Sequence, residues 1–505
     1  MTSVLAVLTF VPLLGVLFLL LMPKSQQNMI RTIGILTTII PLGLALMLYA
    51  GFDSASGDMQ FVQQLKWITI PVGQMAMAIN FEFGIDGLSM PLVVLTSVVV
   101  AMASLVGMKI KDRLKEFYAL LLVMEMGMLG VFTSLNLFQF FVFFEFTIIP
   151  MFFFMGIWGY VNREKAALKF LIYNGVGSAI LLIVFAIIFV NIWTLNFKEI
   201  TMAFTDPNSP FNIPNTMGYL SENFRLGLFI ALLLAFAIKI PIAPFHTWML
   251  AAYKESNAAA IMISSGVLIK IGGYGLIRMN AAFFPEWMDK LGTAIAILGV
   301  INILYGAVLA LAQNELKLML AYSSVSHMGI VLLGLAAMNA EGFQGAIFQM
   351  VSHGLIAALL FYIIELINER TGTTDIRELG GLAKSMPVLS GVLLTVTMAA
   401  IGLPGTSGFV SEFMSYLGLF NAHPIIAAVG ALGIILTAVY LLRSILGATF
   451  GPIRETHESL IDARSYELVP MVVILGLVII IGVYPALLSG PMQETLINIV
   501  PRIGG

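Results

Sequence analysis

The chain has 505 residues, of which 59% are hydrophobic and 10% charged, and its formal net charge is −2. Soluble domains are about half apolar and about a quarter charged, so the composition excludes an ordinary globular protein and predicts an all-α polytopic membrane protein in a lipid bilayer. The near-neutral charge gives no reason to expect a nucleic-acid partner. The absence of cysteine excludes disulfides and thiolate ligation of iron–sulfur clusters by this chain.

Apolar stretches of about 20 residues, each long enough to cross a hydrocarbon core of ~30 Å, recur along the whole sequence. They predict about 14 transmembrane helices, at residues 3–22, 29–50, 87–108, 116–133, 136–158, 167–192, 225–249, 258–280, 291–311, 315–336, 340–367, 387–418, 424–448 and 466–488. The first lacks a small-residue cleavage site and is predicted to be a retained helix. Residues 51–86 and 193–224 are predicted to be surface loops.

Lysine and arginine predict the orientation of these helices, because positive residues concentrate in cytoplasmic loops. If the amino terminus lies outside, most of the 25 basic residues fall in inner loops, while Lys239 and Lys270 lie inside spans. The sequence therefore predicts a multi-pass protein of the cell (inner) membrane with both termini on the outer, periplasmic side.

Two predicted spans contain helix-breaking residues. KIPIAPFHTW (239–248) interrupts span 7 and IGLPGTSGF (401–409) interrupts span 12. Proline removes a backbone donor, so the carbonyls that it frees need other partners. The breaks are five spans apart and run in opposite directions, which predicts two inverted five-helix repeats, spans 4–8 and 9–13, with ion sites at the breaks. The predicted regions are 1–115, 116–280, 291–448 and 466–505.

Few ionisable residues lie deep in the predicted spans, and each costs at least ~2.5–3.5 kcal/mol there. Isolated, a buried glutamate and lysine could simply neutralise each other, and a single histidine could be a satisfied core residue. Several ionisable residues near mid-depth on different spans instead predict a line of side chains that carries protons. Histidines suit such a line because they titrate near neutral pH. The candidates are Glu145, Lys239, Lys270, His327, His353 and Glu412, with Glu125 and His246 as secondary candidates.

No metal site or cofactor site is predicted in this chain. The histidines are isolated, and no helix carries two of them at the i, i+4 spacing of a zinc site. A purely structural membrane subunit is disfavoured, because an inert scaffold gains nothing from so many buried charges.

Several motifs, in order, carry a resemblance to a known family. KIPIAPFHTW, SSGVLIKIGGYGLIR, LAYSSVSHMGIVLLG, QMVSHGLIAALLFY and GLPGTSGFVSEF resemble the antiporter-like subunits of complex I (NADH:quinone oxidoreductase), a family that includes Mrp-type cation/proton antiporter subunits. The length and the glutamate at 412 favour the subunit-4 (chain M) branch.

The resemblance implies a role for each matching residue. Glu145 would pair with Lys239 in broken span 7, and Lys270 would be the central proton carrier. His327 and His353 would pass protons towards Glu412, the exit group. His246 matches the family histidine that follows the first break.

The resemblance also implies partners. The chain would be a proton-translocating subunit without a redox centre, lying among other membrane-arm subunits and coupled to a redox arm. Iron–sulfur clusters, flavin and quinone would belong to partner subunits. The alternative is a subunit of an Mrp-type monovalent cation/proton antiporter.

The chain departs from the family pattern at one place. After PFHTW the family has a segment like LPDAHxxAPT, whereas this chain has MLAAYKESNAAA, Met249 to Ala260. Lys254 and Glu255 replace an aspartate, histidine and proline. We expect this difference to alter proton uptake, or the contact with a neighbouring subunit, near the first break.

Overall fold

The computed structural model describes residues 4–72, 75–206, 209 and 221–499, and these form a helical bundle with one β-hairpin. The first part consists of α1 (Val4–Leu21), α2 (Gln27–Ala50), β1 (Gln60–Val72), β2 (Met75–Ile85), α3 (Ser89–Val106), α4 (Leu114–Thr133), α5 (Leu137–Trp158), α6 (Arg163–Ile192), α7 (Phe197–Thr205), α8 (Glu222–Lys239), α9 (Thr247–Glu255), α10 (Ala258–Ile263) and α11 (Lys270–Gly275). The second part consists of α12 (Pro285–Lys290), α13 (Gly292–Leu311), α14 (Leu316–Ala336), α15 (Ala340–Thr371), α16 (Leu382–Ser385), α17 (Pro387–Ala400), α18 (Ser407–Ala422), α19 (Pro424–Thr449), α20 (Ser465–Val483) and α21 (Ala486–Ile499).

Among the described residues, 12 helices are long and apolar enough to cross a membrane. They match 12 of the predicted spans, and the other two predicted spans are the interrupted pairs α8–α9 and α17–α18. The predicted breaks are therefore confirmed in place. A total of fourteen requires each broken pair to count as one crossing, so that number and the inverted repeats stay predictions.

Both predicted surface loops contain regular structure. Residues 51–86 hold the antiparallel hairpin β1–β2, in which Lys66 pairs with Asn80 and Gln63 with Phe83. Residues 193–224 hold α7, whose amino terminus is capped by the Asn196 side chain, an acceptor from two backbone amides. Part of the second loop, 207–208 and 210–220, lies outside the described residues.

The predicted inner loops come together at one face of the bundle. Lys109 forms ion pairs with Glu369 (2.5 Å) and Glu467 (2.7 Å), which join residues far apart in the sequence. Lys24 reaches Glu116 at 2.8 Å at the same face. We call this surface the basic face; the side of the membrane to which it points stays a prediction.

The core of the bundle consists of helices that hardly meet lipid. The membrane-length helix Ala258–Ala281 and α15 are 100% buried over their most apolar 18 residues, and α14 is 89% buried. The corresponding value is 33% for α1, α2, α19 and α20, which leaves those helices to face lipid or neighbouring chains. The buried helices carry Lys270, His327 and His353.

Close packing of α13 on α14 depends on small residues, as is common between membrane helices. A Cβ added to Gly329 would lie 2.6 Å from the carbonyl oxygen of Gly299, and one added to Gly306 would lie 2.7 Å from the amide of Ser326. The two backbones therefore approach too closely for a larger residue.

We expect Gly329→Val to lower the free energy of unfolding by ~1–3 kcal/mol, the usual cost of overpacking a core. The thermal denaturation midpoint of the purified protein in detergent measures this effect. Gly43→Val is the matched control, because a Cβ there meets nothing within 4 Å. Equal midpoints for the two variants would contradict a close approach of the α13 and α14 backbones.

Candidate functional site

The break between α8 and α9 keeps its backbone groups hydrogen-bonded despite the prolines. The indole of Trp248 donates to the carbonyl of Ile238 (2.9 Å) across the break. Asn302 of α13 accepts from the amide of Ala243 (2.8 Å) and donates to the carbonyl of Val325 (2.7 Å). A fully buried amide side chain thus ties the first break to α14.

Lys239 ends α8 at this break with only 1% of its surface exposed. Its ammonium nitrogen lies 4.7 Å from the centre of the Phe144 ring and has no hydrogen-bond partner among the described residues. The predicted partner, Glu145, is half-buried on α5, and its Oε1 is also without a partner there. The described residues show no ion pair between these two groups, so their pairing stays a prediction.

The helix that carries Lys270 is not a regular α-helix. Two π-helical turns, Ser264–Leu268 and Leu276–Ala281, flank α11, where the sequence predicted one uninterrupted span. Such turns free backbone carbonyls and are frequent at functional sites. The ammonium of Lys270 donates to the carbonyl of Ser265 in the first π turn and lies 2.9 Å from Nδ1 of His353.

From His353 a line of polar side chains continues to Glu412. The rings of His353 and His327 have their centres 5.4 Å apart, and Nδ1 of His327 lies 3.5 Å from Oε1 of Glu412. Gln349 places its Nε2 3.2 Å from the same Nδ1 and accepts a 2.6 Å hydrogen bond from Ser411 with its Oε1. Lys270, His353, His327 and Glu412 thus form a connected series, which we call the central line.

The break between α17 and α18 leaves space around Glu412. Gly402 has φ +86°, and a Cβ there would lie 3.0 Å from Oε2 of Glu412. Ser407, the first residue of α18, shares a 2.8 Å hydrogen bond with Ser352. Beside these residues lies a cavity of about 20 Å³, enough for about one water molecule.

The two secondary candidates lie apart from the central line. Glu125 is fully buried on α4, and neither of its carboxylate oxygens has a hydrogen-bond partner among the described residues. His246 lies beside the rings of Tyr305 and Tyr322, with ring centres 5.3 and 6.2 Å away. The described residues include no group of three or more side chains that could hold a metal ion.

Sequence reasoning missed several buried polar groups. Arg278 of the second π turn pairs with Asp86, and Lys317 of α14 pairs with Glu365 of α15. Arg278 and Lys317 lie in the terminal turns of predicted spans, so they were assigned to the loops rather than to the buried part of the bundle. Gln349 carried no charge to mark it, although QMVSH places it one helical turn before His353.

A helical membrane bundle with two broken helices and a buried acid–base series defines a membrane protein of the ion-translocating class. Comparison with known sequences then identifies the family. The chain belongs to the proton-antiporter M family, described as NADH:quinone oxidoreductase/Mrp antiporter, transmembrane region, which it matches over residues 134–437.

Relatives of this chain match over nearly its whole length. It is 34% identical to NADH-quinone oxidoreductase subunit M of Rhodobacter capsulatus, over 99% of this chain and 97% of that one. A chain of respiratory complex I from Thermus thermophilus with bound NADH superposes with a TM-score of 0.86 and 26% identity, covering 99% of this chain and 100% of that chain. A chain of the Mrp complex from Dietzia sp. DQ12-45-1b has the same fold, with a TM-score of 0.84, 22% identity and full coverage of both chains.

We expect Gln349→Leu to slow proton translocation about fivefold, because the lost hydrogen bond to His327 is worth ~1 kcal/mol. Proton uptake by membrane vesicles that contain the assembled protein measures the effect. Gln313→Leu is the control, since that side-chain amide, just after α13, donates to the carbonyl of Leu309 and does not touch the central line. Wild-type uptake by the Gln349 variant would remove Gln349 from the site.

Proposed function

We propose that this chain is a proton-translocating membrane-arm subunit of a complex I-like NADH:quinone oxidoreductase, a translocase in which it holds no redox centre. The observation that carries the proposal is the central line, in which an ammonium, two imidazoles and a carboxylate lie in series. The names of the relatives support it, since they are subunits M or chain 4 of such oxidoreductases.

Each member of the central line can hand a proton to the next. The ammonium of Lys270 points at Nδ1 of His353, so proton transfer there needs no backbone movement. His353 and His327 are close enough for a proton to pass by ring rotation or through one water. Nδ1 of His327 faces the carboxylate of Glu412, the last acceptor in the series. Neighbouring positive charges repel, so one proton travels at a time.

Glu145 and Lys239 would control this transfer from the first break. At ~4 Å and an effective dielectric constant of about 20, a carboxylate and an ammonium attract by about 4 kcal/mol. Lys239 is buried without a hydrogen-bond partner among the described residues, so an approach by Glu145 would strongly favour its charged form. In this proposal, quinone reduction switches the two side chains between a paired state and a separated state.

The basic face points to the cytoplasm and both termini lie on the outer side of the cell membrane, because positive residues favour the inner side. Spans 4–8 and 9–13 form inverted repeats with one break each. Other membrane-arm subunits lie on either side, and flavin, iron–sulfur clusters and quinone lie in partner chains.

The second candidate is a subunit of an Mrp-type cation/proton antiporter, which the shared fold favours. The two candidates differ in what drives the proton. The redox candidate predicts that quinone reduction drives proton movement in vesicles and that iron–sulfur subunits co-purify with this chain. Sodium-dependent proton exchange without those subunits would identify the antiporter instead.

We expect Lys239→Ala and Glu145→Ala, each in the assembled complex, to lower proton translocation and coupled quinone reduction by about 100-fold, within the range that positioned proton-transfer groups contribute. Fluorescence quenching of a pH dye in vesicles and quinone reductase assays measure the two activities. Lys290→Met serves as the control, because Lys290 is half-exposed and pairs with Glu222. Full coupled activity in both alanine variants would overturn the proposal.

We expect Lys270→Met to abolish proton translocation without loss of assembly, because a methionine fills the buried site but breaks the contact with His353. Blue-native electrophoresis reports assembly, and the same dye assay reports translocation. Translocation at the wild-type rate would show that protons bypass the central line.

A further inference from the structure

A second buried ion pair lies near the basic face, separate from the central line. Lys317, in the first turn of α14, pairs with Glu365 of α15, and their side chains are 3% and 2% exposed. In membrane proteins such buried ionisable groups mark ion pathways more often than scaffolding. Proton transfer along the central line does not involve this pair.

Tyr160, in the link between α5 and α6, connects the pair to the surface. Its hydroxyl donates to Oε2 of Glu365 at 2.5 Å, and its ring lies 4.3 Å from the ammonium of Lys317. The residue itself is 41% exposed. Burial, and then the neighbouring Glu365 carboxylate, raise the pKa of the Tyr160 phenol, so it stays a hydrogen-bond donor at physiological pH. An exposed phenol thus contacts a buried carboxylate.

The segment that departs from the family pattern holds Tyr160 in this position. The carboxylate of Glu255 accepts from the amide of Asn162 (2.9 Å), and its backbone carbonyl accepts from the amide of Tyr160 (2.7 Å). Next to it, Lys254 forms a 3.2 Å ion pair with Glu315, just before α14. The unusual Lys254-Glu255 sequence therefore fixes the α5–α6 link against the start of α14.

The cavity beside Glu412 extends from the central line towards this ion pair. Its lining includes His327, His353 and Glu412 at one end and Leu320, Leu360 and Phe361 at the other. Leu320 lies one helical turn from Lys317, and Phe361 lies one turn, ~6 Å along the axis, from Glu365. Ser323 and Ser324, between Leu320 and His327 on α14, supply hydroxyls to its lining.

We propose that Glu365, with Lys317 and Tyr160, is the site at which protons are taken up from the basic face and passed to the central line. This inference deepens the proposed function and rests on it. A proton from the surface binds the Glu365 carboxylate and releases it from Lys317. The proton then passes through the cavity to His353, which contacts Lys270 in the central line. The ionised Glu365 pairs again with Lys317, so charge balances over the cycle.

A comparison of two variants that both lack the ion pair tests this inference. Lys317→Met keeps the carboxyl group of Glu365, whereas the double variant Lys317→Met/Glu365→Gln has an isosteric amide that carries no proton. We expect the double variant, in the assembled complex in vesicles, to translocate protons about tenfold more slowly than Lys317→Met. A purely structural ion pair predicts equal rates, and equal rates would overturn the inference.

Further variants distinguish slower proton uptake from a general effect of removing an ion pair or from failed assembly. Lys24→Met/Glu116→Gln removes an exposed ion pair at the basic face; neither residue lines the cavity, and we expect translocation at the wild-type rate. If the double variant fails to assemble, Tyr160→Phe replaces it: slower translocation with normal assembly supports the inference, and an unchanged rate overturns it. Lys270→Met, assayed in parallel, tests the proposed function itself. The proposed function requires that this variant lose proton translocation, whether or not Glu365 is the uptake site.

Discussion

The contact of the Lys270 ammonium with the Ser265 carbonyl and with His353 is the interaction on which the site depends. A charge this deep in a membrane is tolerated only with internal partners, because lipid supplies none. The π-helical turn provides the carbonyl, and the fully buried α15 provides the imidazole. The helix that carries Lys270 thus departs from regular geometry at the point where the Lys270 side chain is held.

The two broken helices solve the same problem in different ways. At the first break, the side chains of Trp248 and Asn302 replace the backbone partners that the prolines remove. At the second, glycines with positive φ let the chain turn beside Glu412, and serines at the start of α18 join it to α15. Both breaks place a charged residue next to irregular backbone, Lys239 in one case and Glu412 in the other.

The sequence predicted those features that depend on local chemistry. The length of the apolar stretches predicted the membrane helices, and the positions of proline and glycine predicted both helix breaks. Four of the six main candidates lie together in the central line. Features set by tertiary contacts were not predictable: Asn302 and Gln349 look like ordinary polar residues until α13, α14 and α18 meet around them. The hairpin was missed because residues 51–86 were interpreted from their turn-forming residues alone.

One nitrogen of His327 faces two different partners, an amide donor on Gln349 and a carboxylate on Glu412. The neutral ring can accept from the amide, and the protonated ring can donate to the carboxylate, so the two protonation states select different neighbours without any helix moving. Such a change of partner needs only side-chain movement, whereas collective helix motions take microseconds to milliseconds. A proton can therefore change neighbours at His327 while the surrounding helices keep their positions.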